Sequence, residues 1–205
     1  MSGAATALLA LHYQNDVLHA DGRIRVGIDD DASRAALVDS AARLLAAARR
    51  SQWPIMHVRI AFRPDYGDLP RNIPIFRRTE AIGAVKDGEW GAEFYAPLSP
   101  LLPLDSPREF VLKHTSISAF RGTQLDQLLR QHGVGRVVVA GVATHSVVEG
   151  TVREAAELGY EVVVVADACA AAQRATHEAS LASMALMAEV TTLAELAAAN
   201  EKESS

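Results

Sequence analysis

The chain has 205 residues, of which 49% are hydrophobic, 22% charged and 5% aromatic, with a formal net charge of −5. That length holds one domain with a sizeable core, and the negative charge argues against nucleic acid as a partner, since binding it generally needs a basic face. No apolar run approaches the roughly 20 residues of a membrane-spanning helix, and a lone cysteine, Cys169, excludes an internal disulfide and points to a reducing, cytoplasmic setting.

Taken in order, apolar runs rich in β-branched residues alternate with helical patterns. Thr6–Tyr13 reads as a buried strand directly at the N-terminus, with no basic flank of the kind a signal peptide carries. Ser33 is expected to cap a helix running to about Arg50, with Leu37, Leu44 and Leu45 on its inner stripe. Ile55–Ala61 is a second strand. Residues 62–108 break the rhythm: most of the eight prolines fall here, together with Phe62, Tyr66, Phe76, Trp90, Phe94 and Tyr95. A stretch of that length without clear periodicity is often functional, and it is expected to cover one end of the sheet and wall a pocket.

The alternation then resumes. Phe110–Lys113 is a strand, Thr123 caps a helix over Gln124–His132, and Val137–Gly141 is a strand leading into a helix from Ser146 to Leu158, closed by Gly159. Glu161–Ala166 is a strand, Thr176–Met187 a helix, Glu189–Thr192 a short strand, and a last helix starts at Leu193. Asn200–Ser205 reads as a polar, frayed tail. Strands that are apolar on both faces and separated by helices specify a three-layer α/β/α domain around a doubly wound, mostly parallel, six-stranded sheet. The whole of 1–205 is read as a single domain.

Ligands in such sheets bind beyond the carboxyl ends of the strands, where the strand order reverses. Three polar groups fall there: His12 with Tyr13, Gln14, Asn15 and Asp16; Lys113 with His114; and Thr144, His145 and Ser146. No Gly-x-Gly-x-x-Gly follows the first strand, and Gly141–Thr144 is a turn, not a phosphate loop, so no cofactor is expected.

At these same positions the chain resembles the isochorismatase-like, or cysteine hydrolase, family over roughly residues 5–195. ALLALHYQNDV is similar to the family's apolar strand followed by Asp-x-Gln-x-Asp-Phe. FVLKHTSISAF is similar to its Lys-x-x-x-Ser-Ala-Phe motif, and VVVAGVATHSVVEGTVREAAELGYEVVVVADACAA to its Gly-Val-Ala-Thr-x-x-Cys-Val segment with the downstream helix and strand. The resemblance implies an Asp–Lys–Cys centre, here carried over as His12 in place of the aspartate, Lys113 as the lysine and Ser146 in place of the cysteine. It also implies a non-proline cis peptide at Val142–Ala143, a homo-oligomer (dimer or larger) and a small-molecule substrate. The family's amidases often carry a metal after the second strand on an Asp-x-His pattern; here His57-Val-Arg-Ile-Ala-Phe-Arg63 offers no carboxylate, and no metal is expected.

Two chemistries remain open on these residues. A serine needs an adjacent base to become nucleophilic, and His12, with an ordinary pKa of about 6.5, is able to supply it. Alternatively, family members with Gly at the cysteine position hydrolyse a vinyl ether by protonation, which would make His12 the proton donor. Gln14, Phe62, Arg63, Trp90, His114 and His145 are the candidate substrate contacts, with Arg59 or Arg63 placed to fork onto a carboxylate. The expected function is hydrolysis of a small-molecule amide, carbamoyl or enol-ether bond. The rival is a catalytically inactive relative that retains the fold as a ligand-binding or assembly module.

Overall fold

The computed structural model describes residues 5–24, 30–101 and 106–203. The apolar runs become β1 (Ala5–Leu11), β2 (Ile55–Ile60), β3 (Glu109–His114), β4 (Val134–Val142), β5 (Glu161–Ala170) and β6 (Glu189–Thr191). They form one parallel sheet in the order β3-β2-β1-β4-β5-β6. The helices are α1 (Asn15–Leu18), α2 (Asp31–Arg50), α3 (Pro74–Ala81), α4 (Leu125–Gln131), α5 (Glu149–Glu157), α6 (Arg174–Met184) and α7 (Leu193–Glu203).

The chain steps outward in one direction from β1 to β3 and in the other from β4 to β6. Right-handed crossovers therefore put the connecting helices of the two halves on opposite faces, and α7, which follows β6, returns to the face of α2. α2 packs with α7, while α5 packs with α6. This double cover explains why β1, β4 and β5 read as unbroken Val, Leu and Ala runs: Leu8, Leu9, Leu11, Val138 and Val164 are all fully buried. Each such side chain contributes about 1.5–3 kcal/mol by leaving water.

Several boundaries differ from the sequence reading. The cap of α2 is Asp30, not Ser33: its Oδ1 accepts from Ser33 N at 2.7 Å and its Oδ2 from Ser33 Oγ at 2.9 Å. A carboxylate one turn earlier satisfies both donors at once, so the helix begins sooner. α7 runs on to Glu203, through most of the segment expected to fray, and residues 204–205 lie outside the described residues.

The segment from residue 62 has its own packing. Phe62, Tyr66, Phe76 and Val85 form a second apolar cluster, and Pro74 fixes the start of α3 at its first position. Asp16 clamps this segment to the end of β1, accepting from Val85 N at 2.7 Å and Arg23 N at 3.1 Å. Residues 102–105 of the same stretch lie outside the described residues.

Strand order reverses between β1 and β4. There the backbones approach so closely that a Cβ on Gly141, whose φ is +154°, would sit 2.3 Å from Leu11 O. Only glycine fits, and the carboxyl ends of these two strands open the crevice where the site lies.

Candidate active site

His12 is the first residue past β1 and has φ +56°, a left-handed conformation that costs a non-glycine residue about 1–3 kcal/mol. The surroundings impose it. His12 N donates to Val58 O at 2.8 Å, and Gln14 N donates back to His12 O at 2.8 Å. Gln14 is completely buried and spends its amide on backbone: Nε2 donates to Ile60 O (2.9 Å) and Ala92 O (2.8 Å), and Oε1 accepts from Ile60 N (2.9 Å). Gln14 is thus a brace between β1, β2 and the covering segment, not the substrate contact expected.

The bend aims His12 at His114, the last residue of β3. Their Nε2 atoms lie 2.5 Å apart, and His114 Nδ1 is 3.1 Å from Ser118 O. A carbonyl only accepts, so His114 carries its proton on Nδ1. Its Nε2 lone pair then accepts from His12 Nε2–H, and the free lone pair of the dyad is His12 Nδ1. Burial, followed by the charge of His114, holds His12 well below its ordinary pKa; burial pushes His114 down to about 4. Both rings are neutral at pH 7.

Lys113 does not join them. Successive side chains of a strand face opposite ways, so burying His114 sends Lys113 outward, where Nζ donates to Asp87 Oδ2 at 2.9 Å; Arg59 takes Asp87 Oδ1 at 2.9 Å. The motif spacing agrees with this geometry. Counting back four residues from Ser118 of Ser118-Ala119-Phe120 reaches His114, so the lysine position belongs to His114. The same count corrects the third position: the residue three after Thr144 is Val147, which is 1% exposed in the main core. Ser146 precedes it.

β4 ends in a cis Val142–Ala143 peptide, and Thr144–Val148 form a single π-helical turn before α5. Such turns are frequent at functional sites. Ser146 N donates to Ala143 O at 3.1 Å, while Thr144 is tied to His177 Nδ1 through Oγ1 at 2.8 Å. The Ser146 hydroxyl makes no hydrogen bond to His12 or Lys113.

A cavity of about 190 Å³ brings together His12, Val142, Ala143, His145 and Ser146 with Ser116 and a wall of Ile24, Ile60, Ile75, Phe76, Val85 and Ile117. Gly150 on α5 lets Ile117 reach that wall, since a Cβ there would lie 2.7 Å from Ile117 Cγ2. The remaining expected contacts are elsewhere. Phe62 is fully buried against Tyr66 and Phe76, Arg63 is exposed and paired with Asp65, and Trp90 sits at the surface edge-on to His19. The stretch expected to wall a pocket supplies Ile75, Phe76 and Val85, but the sequence does not single out Ile24, Ile60 and Ile117, because nothing in it separates a pocket isoleucine from a core one.

His57 belongs to a different network. Its Nε2 lies 2.8 Å from Glu109 Oε2, and Arg49 forks onto the same carboxylate at 2.8 and 3.1 Å. Burial works to raise the pKa of Glu109, but hydrogen bonds from His57, Arg49 and Leu101 N prevail and hold it at about 2.

The protein is thus a doubly wound α/β domain with a buried histidine pair beside a crevice at its switch point. Residues 6–195 match the Isochorismatase domain, and the chain belongs to the isochorismatase family of hydrolases. Among its relatives, it is 29% identical over 181 residues to the isochorismatase family protein YecD of Escherichia coli O157:H7, covering 88% of each chain. It is 31% identical over 185 residues to a probable inactive nicotinamidase of Arabidopsis thaliana, covering 87% of each. An isochorismatase family protein from Desulfovibrio vulgaris superposes with a TM-score of 0.83 at 31% identity, covering 97% of this chain and 99% of that one.

Proposed function

We propose that the chain hydrolyses a small-molecule amide or carbamoyl bond by general-base catalysis from the His12–His114 dyad, with water as nucleophile. The observation that carries this reading is the fixed tautomer of the pair. His12 Nδ1 is a neutral lone pair on a residue that lines the pocket, and His114 stands behind it to share the charge once a proton arrives. Water adds to the carbonyl carbon as its proton passes to His12 Nδ1; the same proton then goes to the departing nitrogen as the C–N bond breaks. Ser146 is assigned a hydrogen bond to the polar end of the substrate and no covalent role. Among the relatives are ureidoacrylate amidohydrolases, one of them 27% identical over 187 residues in Methylorubrum extorquens, which supports an amide-type bond.

The depressed pKa of the dyad favours amide hydrolysis over vinyl-ether protonation, because a histidine donates that proton only as an imidazolium. The activity is assigned to one domain acting in the cytoplasm as a homo-oligomer, a state that light scattering checks. Among the described residues no helix is long and apolar enough to cross a membrane. A screen of amides, carbamoyl compounds, esters and vinyl ethers tests the mechanism with His12→Ala and Ser146→Ala alongside. His12→Ala is expected to lose turnover by 10²-fold or more, Ser146→Ala to retain most of it, and no acyl adduct to form on Ser146 by mass spectrometry. Turnover indifferent to His12, or none on the whole panel, overturns the proposal, and the second result leaves a ligand-binding role.

A further inference from the structure

We infer that this pocket selects uncharged, compact carboxamides with an apolar body, and that Ile75 on α3 is a specificity-determining residue. The inference rests on the hydrolytic reading for the bond cleaved, but not for what binds. The lining is of two kinds: His12, Ser116, His145 and Ser146 follow the carboxyl ends of β1, β3 and β4, and Ile75 and Phe76 of α3 join Ile24, Ile60 and Val85 as its apolar part. Among the described residues that line it, none carries a fixed charge. Several of the neighbouring cations are committed to other groups, and Arg78 of α3 is exposed and outside the lining. Arg59 and Lys113 share Asp87, Arg63 holds Asp65, and Arg23 bridges Gly83 O and Glu89.

A carboxylate entering this cavity would give up its hydration against isoleucine, valine and the neutral His12 imidazole, which is costly where no lining residue carries a fixed charge. An amide loses far less, because the histidine and serine groups of the lining replace its water hydrogen bonds. Size sets the second limit. A cavity of about 150 Å³ lined by Leu, Ile and Phe holds benzene, so about 190 Å³ fits a body slightly larger, of benzamide's dimensions. Ile75 is 39% exposed, so it sits at the rim of the cavity and can change without opening the core.

The test is binding by isothermal titration of benzamide and benzoate to the full chain at pH 7.5, for wild type, Ile75→Arg and Ile75→Leu. Benzamide is expected to bind at least tenfold more tightly than benzoate. Ile75→Arg should shift that ratio at least tenfold toward benzoate, with a melting temperature near wild type, and Ile75→Leu should preserve the ratio. Benzoate binding as well as benzamide, neither binding at millimolar concentration, or a ratio unmoved by Ile75→Arg overturns the inference. The two proposals fail separately. Benzamide bound selectively with no turnover across the whole panel sinks the hydrolytic reading alone, whereas efficient cleavage of anionic amides with tight benzoate binding sinks this one alone.

Discussion

Acid should destabilise this protein through its histidine dyad, and the size of that effect follows from the structure. His114 is held at about 4, against about 6.5 for a histidine in the unfolded chain. Between these values the unfolded chain binds the proton and the folded chain does not, so stability falls as pH drops through that window. From pH 7.5 to 4.5 this one group removes about 2–3 kcal/mol, which is about 5–10 °C in melting temperature for a domain of this size. His12 is shifted in the same direction, chiefly by burial, and adds to the loss. His114→Asn places an amide N–H near the Nδ1 position for the Ser118 carbonyl and cannot titrate. Urea or thermal unfolding at the two pH values should therefore show an acid loss smaller by about 2–3 kcal/mol in the variant than in wild type. His57 and His177 also have lowered pKa values but are present in both proteins and cancel. Glu109 titrates near 2, below the window. Equal acid losses in the two proteins would refute a buried, neutral His114.

Three further outcomes follow from the same geometry. Lys113→Ala should change turnover less than twofold and stability by no more than about 1 kcal/mol, because its partner Asp87 keeps Arg59 and the pair is half-exposed; steady-state kinetics and a urea melt check both. Glu109→Gln should cost about 2–4 kcal/mol at pH 7 by urea unfolding, since it takes the charge away from Arg49 and His57 within the fold. The contribution of that carboxylate is fully present above about 4.5 and is lost as pH falls toward 2. Val147→Cys, in a Cys169→Ala background, should give a thiol that iodoacetamide alkylates slowly at pH 7.5, because burial without a cation opposes the thiolate. Fast alkylation would reveal a positive charge that the described residues do not show.

The fold was legible because its signals are periodic and local. Six apolar runs and a glycine closing α5 mark elements that tertiary packing then confirms, whereas α3, a helix of eight residues inside the proline-rich stretch, reads in the sequence only as irregular chain. The site was legible in place but not in register. Lys113 and Ser146 are each one residue ahead of the position their motif spacing gives, and one residue reverses everything in a strand. Lys113 faces solvent and His114 the crevice. The burial alternation of β3 carries that answer, and a lysine beside a histidine hides it because either side chain suits a catalytic role. Gln14 misled for a related reason: a buried amide in a motif suggests recognition, yet its hydrogen bonds are all spent on the backbone. The pocket wall was legible as a stretch, since α3 and Val85 fall within 62–108, but its individual residues, and the parts supplied by Ile24, Ile60 and Ile117, left no local trace.

The three positions the motifs point to are consistent with one another once the register is corrected. A cysteine nucleophile needs its thiolate stabilised by neighbouring positive charge, and an aspartate–lysine pair brings a charged environment with it. This chain has His12, His114 and Val147 there, all buried and all neutral at pH 7. Restoring the cysteine alone would leave it without a cation, and restoring a lysine at His114 alone would bury a charge beside another base. On the register the motifs imply, the three residues present are consistent as a set: an apolar crevice beside two buried, neutral imidazoles, with neither a thiolate nor an ion pair among them.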